Sequence, residues 1–262
     1  MWSYQHAGFI VHQLPALRDN YIYLIEAHTS DALIAVDPAE AVAVRRACKK
    51  LDKPLTHILN THHHWDHTDG NLALKKDFAC LIIGSAADAA RIPSIDIHVS
   101  EESPPQIAGL DIAVLDVPGH TIGHIAYVAR GALFCGDTLF GAGCGRLFEG
   151  APEQMWRSLQ RLAALDSDTR VYCAHEYTLA NLEFAAALDR DNPVLARRIA
   201  DDRQRRAQQL PTIPSTIATE RATNPFLRPM DAQFRRRYAE SRQLDDDALV
   251  LFTDIRRRKD SW

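Results

Sequence analysis

No run in this 262-residue sequence approaches the roughly 18 consecutive apolar residues that a membrane crossing needs, so a spanning helix is not expected. The amino terminus, MWSYQHAGFIVHQLP, lacks the basic and apolar blocks of a secretory signal and the arginine-rich pattern of organelle targeting. The five cysteines (Cys48, Cys80, Cys135, Cys144, Cys173) are odd in number, scattered and without a CxxC pair, which argues against a disulfide framework or a thiolate zinc site. A reducing cytoplasm is therefore the expected compartment, and buried small hydrophobes the expected role of Cys135, Cys144 and Cys173. A net charge of -4 with no clustered basic arm argues against nucleic-acid binding. Oligomerisation has no signature either, and a monomer is the default expectation. What the chain does have is histidine: twelve copies, four of them in the seven residues THHHWDH, Thr61 to His67.

The first two thirds read as short β-branched runs between turn signals. GFIVHQL, NYIYLIE and ALIAVD follow in quick succession and predict antiparallel strands, with further strands at LTHILN, ACLIIG, DIAVLDVPG, IAYVAR, ALFCGD and RVYCAH. Helices are expected around Glu40 to Lys50, at NLALKKD, and at PEQMWRSLQRLAAL, whose proline suits a first helical position. After about Thr178 the pattern turns helical, in LANLEFAAAL, PVLARRIADDRQRRAQQ and DDDALVLFTDIRRRK, with Asp245 to Asp247 as helix-start chemistry. Between the last two, LPTIPSTIATERATNPFLRP reads as a proline- and threonine-rich connector. The expected division is therefore 1–175 and 176–262.

The histidine motif follows a strand-like run and is expected in a loop at the strand's end. In an extended segment residues two apart point the same way, so His62 and His64 converge on one ion while His63 points elsewhere. Asp66 and His67, as neighbours, diverge, which suggests a second ion beside the first. More candidates stand at later strand ends: His120 in VPGHT, Asp137 in FCGDT and His175 in YCAHEY. Two divalent cations carry +4, which Asp66, Asp137 and one hydroxide reduce to about +1, a modest residue for an anionic substrate. With one metal, the extra carboxylate would be buried without a partner, which is costly.

THHHWDH matches the HxHxDH signature of the metallo-β-lactamase superfamily, and PGHTIGH, FCGDTLF and CAHEY resemble its later motifs in order. More narrowly, FCGDTLFGAGCGRLFEG, VYCAHEYTLANLEFA, NPFLR and RRRKD resemble the glyoxalase II family, the hydroxyacylglutathione hydrolases, over essentially the whole chain. The resemblance implies an αββα sandwich followed by a small helical domain that helps to bind glutathione. It implies that His62, His64 and His120 hold one divalent metal ion, that Asp66, His67 and His175 hold the other, and that Asp137 bridges them. Zinc is the expected metal, with iron or manganese compatible with the same ligands.

The implied reaction is hydrolysis of S-(2-hydroxyacyl)glutathione, chiefly S-D-lactoylglutathione, in methylglyoxal detoxification. A metal-bridging hydroxide, available because metal-bound water ionises near about pH 7, would attack the thioester carbonyl. The departing thiol has a pKa of roughly 8.5 and needs little protonation, so no dedicated acid is required; Asp66 is a candidate proton shuttle. The family pattern points to Arg146, Tyr177, Arg256 and Lys259 for glutathione. Arg256 and Lys259, three apart, share a helix face on which they would grip a carboxylate. The sequence has Arg146 where some relatives have lysine and Phe148 where some have tyrosine, which predicts altered glutathione binding and an unchanged reaction class. Competing readings are a single-iron persulfide dioxygenase, a metal-dependent nuclease and a non-catalytic binding module. The long helical tail opposes the first, the charge the second and the complete ligand set the third. His63 and His124 are expected to play hydrogen-bonding or core roles.

Overall fold

The computed structural model describes residues 1–262 and divides into two compact units, Met1–Asp116 with Gly123–Gly136, and Val117–Ile122 with Asp137–Trp262.

In the first unit, β1 (Trp2–His6), β2 (Phe9–Ala16), β3 (Asn20–Ala27) and β4 (Leu33–Val36) form an antiparallel meander. Helix α1 (Ala41–Leu51) then crosses over, and β5 (His57–Leu59), β6 (Leu81–Ser85) and β7 (Ile97–Val99) extend the sheet in parallel, in the order β1 to β7. Between β5 and β6 lie α2 (Trp65–Thr68) and α3 (Asn71–Phe78). Parallel neighbours need a crossover, and their near-continuous apolar runs reflect burial on both faces. One face carries Leu14, Ile22, Leu24, Ala35 and Ile58 against Val44, Ala47 and Leu74 of α1 and α3. A second antiparallel sheet, β8 (Ala113–Asp116), β9 (Ile125–Ala129) and β10 (Ala132–Gly136), meets the other face. There the Tyr23 and Phe134 rings stand 5.8 Å apart edge to face, and the Tyr127 hydroxyl donates to the Asn60 carbonyl at 3.0 Å.

The second unit holds β11 (Leu139–Phe140), β12 (Gly143–Cys144), α4 (Pro152–Ala163), β13 (Arg170–Cys173), α5 (Thr178–Leu188), α6 (Pro193–Ala207), β14 (Ser215–Thr216), α7 (Ile217–Thr223), α8 (Ala232–Arg242) and α9 (Ala248–Asp260). Asp247 caps α9 by accepting from the Leu249 and Val250 amides. Trp156 of α4 packs against Phe252 of α9, and Leu182, Ala185 and Leu195 form a small core between α5 and α6.

The segment expected to be a connector, Leu210 to Pro229, instead contains β14 and α7. Thr216 caps α7 by accepting from the Thr219 amide, and buried Glu220 accepts from Arg198 at 2.8 Å and from the Ala142 amide at 2.9 Å. A two-residue strand and a seven-residue helix are too short to show a period in sequence, and these tertiary partners stabilise them. No helix is long and apolar enough to cross a membrane.

Candidate metal centre

The motif leaves β5 at Leu59 and runs through Asn60 into Thr61, both fully buried. His62 Nε2 and His64 Nδ1 stand 3.0 Å apart, so the residues two apart do converge. The rest of the motif departs from an extended loop: His64 is the N-cap of α2, which carries Asp66 and His67 on one helical turn. Asp66 and His67 consequently do not diverge as expected, and Asp66 Oδ2 lies 3.8 Å from His67 Nε2. A helical turn rotates successive side chains by only about 100°, where a strand would rotate them by half a turn. His63 turns away to Asp88, Nδ1 to Oδ2 3.0 Å, and buried His124 stacks on His62 with centroids 4.6 Å apart.

Groups outside the motifs aim these side chains. Asp37, at the end of β4, takes the Thr61 amide on Oδ1 at 2.8 Å, and on Oδ2 the Thr61 hydroxyl at 2.7 Å and the N–H of His67 Nδ1 at 3.0 Å. With Nδ1 protonated and held, His67 presents a bare Nε2, the arrangement found behind metal-binding imidazoles. The Asn20 amide donates to Asp66 Oδ2 at 3.2 Å, and the Asn60 amide donates to the His67 carbonyl at 2.9 Å. The available signal was position: Asp37 ends the strand beside the one that leads into the motif.

The second unit contributes another cluster. Asp137 lies between two histidines, Oδ2 at 3.4 Å from His120 Nε2 and Oδ1 at 3.4 Å from His175 Nε2. Two ligand atoms each about 2.1 Å from one tetrahedral ion stand about 3.4 Å apart, so this spacing suits a carboxylate shared between two ions. His120 donates from Nδ1 to the Arg146 carbonyl at 2.8 Å, which leaves Nε2 to face Asp137. Two glycines permit this approach. A Cβ at Gly145 would lie 2.0 Å from the Asp137 carbonyl oxygen, and one at Gly119, where φ is +151°, would lie 2.7 Å from Met155.

Around this cluster stand the residues expected to meet glutathione. Tyr177 stacks on His175 with centroids 4.7 Å apart, and exposed Phe148 sets its ring edge to face with His120 at 5.2 Å. Arg146 is exposed. Arg256 is buried: it donates to the Cys144 carbonyl at 3.0 Å and to Asp260 at 2.8 Å, and lies over the Phe226 ring. Lys259, one turn on, is half-buried over Phe184. Burial, then the neighbouring Arg256 charge, lower its pKa, and Arg146 adds to the effect. Glu183 opposes the shift, and the uncompensated positive charge around Lys259 suits an anionic ligand. The cysteines are all buried and form no disulfide; burial raises Cys144 to about 11 and Cys173 to about 12, so neither is a thiolate at neutral pH.

Residues 16–175 match the family model of the metallo-beta-lactamase superfamily, and residues 176–262 match that of the hydroxyacylglutathione hydrolase C-terminus. A hydroxyacylglutathione hydrolase of Methylococcus capsulatus is 47% identical over 250 residues, covering 95% of this chain and 96% of its own. One from Synechococcus is 51% identical over 219 residues, 82% of this chain and 87% of its own. Among solved structures, a protein named ETHE1 from Myxococcus xanthus superposes with a TM-score of 0.65 at 25% identity, over 92% of this chain and 94% of that one. A protein named TTHA1623, solved in a di-iron-bound form, gives a TM-score of 0.60 at 22% identity, over 82% and 98% respectively.

Proposed function

The chain belongs to the hydroxyacylglutathione hydrolases of the metallo-beta-lactamase superfamily, and from that premise we propose that this thioester hydrolase acts chiefly on S-D-lactoylglutathione, releasing D-lactate and glutathione in methylglyoxal detoxification. In this proposal residues 1–175 serve catalysis and 176–262 glutathione binding, in a cytoplasmic monomer. The observation that carries it is the Asp137 carboxylate, which offers one oxygen towards each of two histidines.

The donor set fits divalent metal: imidazole nitrogens and carboxylates, several of them held from behind by hydrogen bonds. In this reading His62, His64 and His120 hold one ion, Asp66, His67 and His175 the other, and Asp137 both, with zinc the preferred metal. Metal bound there would lower the pKa of water towards about 7 and would polarise the thioester carbonyl. The chain's own residues do the rest. Asp37 and the Arg146 carbonyl fix two imidazoles in one tautomer, Asn20 orients Asp66 for proton transfer, and Tyr177 and Phe148 wall the approach. Arg146 and Lys259 meet the anionic peptide, while Arg256 braces the strand that leads into Arg146 and shares its helix face with Lys259.

The deciding experiment joins metal analysis to thioester hydrolysis followed by absorbance. Two metals per chain with rapid turnover, lost on chelation and restored by zinc, is the expected result. A single iron with oxygen consumption, or no hydrolysis by fully loaded protein, would overturn the reading. Lys259→Ala tests the glutathione assignment. A hydrogen bond to a charged group contributes about 1.5–3 kcal/mol, so KM should rise roughly ten- to a hundredfold with kcat nearly constant. A fall in kcat at constant KM would contradict that role.

A further inference from the structure

We propose that Ser3 is a second nucleophile, independent of metal, which accepts an acyl group from activated esters and thioesters. The residues concerned all lie in the first unit, and the inference does not rest on the function proposed above. Ser3 on β1 is paired in register with His12 on β2, and Ser3 Oγ lies 2.8 Å from His12 Nδ1. The other ring nitrogen, Nε2, lies 2.8 Å from Glu26 Oε2 on β3. Glu26 also pairs with Lys53, Oε1 to Nζ 2.7 Å. Burial pushes the Glu26 carboxyl up, but the hydrogen bonds from Lys53 and His12 outweigh it and hold the pKa below the ordinary value.

An ionised carboxylate only accepts, so Nε2 carries the imidazole proton and Nδ1 is left to accept from the Ser3 hydroxyl. Nucleophile, base and orienting acid thus stand in hydrogen-bonded sequence. His12 is 4% exposed and held on both sides, while Ser3 is open to solvent and reachable. A strand pair that needed only a cross-strand contact would not require a base aligned by a third residue.

A cavity that would seat the acyl group lies further along the same face of β2 and also reaches Met1. Leu14, two residues from His12 and so on the same face of β2, lines a cavity of about 140 Å³ with Pro15, Ala43 and Ala47, where exposed Arg46 and Lys50 also contribute. The space takes a short acyl chain, and the two cations favour an anionic one. In the step, Ser3 Oγ attacks the carbonyl carbon and passes its proton to His12 Nδ1. The bond to the leaving sulfur or aryl oxygen breaks, and the leaving group departs with that proton, leaving O-acyl Ser3 and neutral His12. Thiolates and aryl oxides are weakly basic, so the bond breaks readily and the proton held by His12 neutralises the departing group.

The test treats the metal-loaded full chain with 4-nitrophenyl acetate and with the 4-nitrophenyl monoester of adipic acid, followed by peptide mapping. Acylation at Ser3, faster with the anionic ester, is expected. Ser3→Ala should remove it while leaving thioester hydrolysis and thermal unfolding unchanged, and His12→Gln should slow it by about a hundredfold or more. Glu26→Gln, which keeps the side-chain shape, should slow it as well and guards against misfolding of the His12 variant. Acyl groups confined to lysines or the terminal amine, or a wild-type rate in both His12→Gln and Glu26→Gln, would overturn the proposal. Neither result touches hydrolysis at the metal centre, which is read separately.

Discussion

Asp137→Ala is expected to lower kcat for thioester hydrolysis by about a thousandfold or more, equivalent to about 4 kcal/mol of barrier. The carboxylate places one oxygen towards His120 and the other towards His175, both at 3.4 Å, a reach that alanine cannot supply. Its charge also matters, because histidines alone cannot offset two divalent cations. The variant should retain less than two metals per chain, and the loss should fall on kcat, because the proposed role of Asp137 is at the reacting centre and the proposed peptide contacts are other residues. Asp137→Asn, which keeps the shape and loses the charge, should fall between wild type and alanine. Steady-state kinetics with metal analysis on both variants checks this. A raised KM with intact kcat and full metal content would remove Asp137 from the role.

Asp37→Ala should weaken metal binding about ten- to a hundredfold although Asp37 is not assigned as a ligand. The buried carboxylate takes the Thr61 amide, the Thr61 hydroxyl and the His67 N–H. Without it, His67 is free to change tautomer or turn, and three buried donors lose their acceptor. Each such group costs about 1–3 kcal/mol, so unfolding stability should fall by roughly 3 kcal/mol or more. Asp37→Asn retains one acceptor oxygen and should lose less of both. Metal titration and denaturant unfolding of the two variants give independent readouts. Unchanged metal affinity in a destabilised Asp37→Ala would show that Asp37 serves the fold alone.

How much of this was legible before folding differs by feature. Strands β2 to β6 and β8 to β10 stood out because each is a short apolar run bounded by turn residues, and burial of a sheet imposes that pattern. Helices α1, α4, α6 and α9 showed their period and α5 its run of helix-forming residues, whereas α8, as long as α1, carries too few apolar residues to show one. β14 and α7 did not, since two and seven residues carry no period and their stability comes from partners such as Arg198. The convergence of His62 and His64 followed from their spacing, whereas Asp66 and His67 did not diverge, because the chain turns helical at Trp65.

Family, reaction class and candidate ligands could be read before folding, because they depend on residue types in a fixed order. The contacts that hold those side chains could not. Asp37 behind His67, the Arg146 carbonyl behind His120 and the burial of Arg256 against Cys144 join positions far apart in the chain. Hydrogen bonds of about 3 Å depend on where folding brings atoms, and a local pattern of residues carries no record of that.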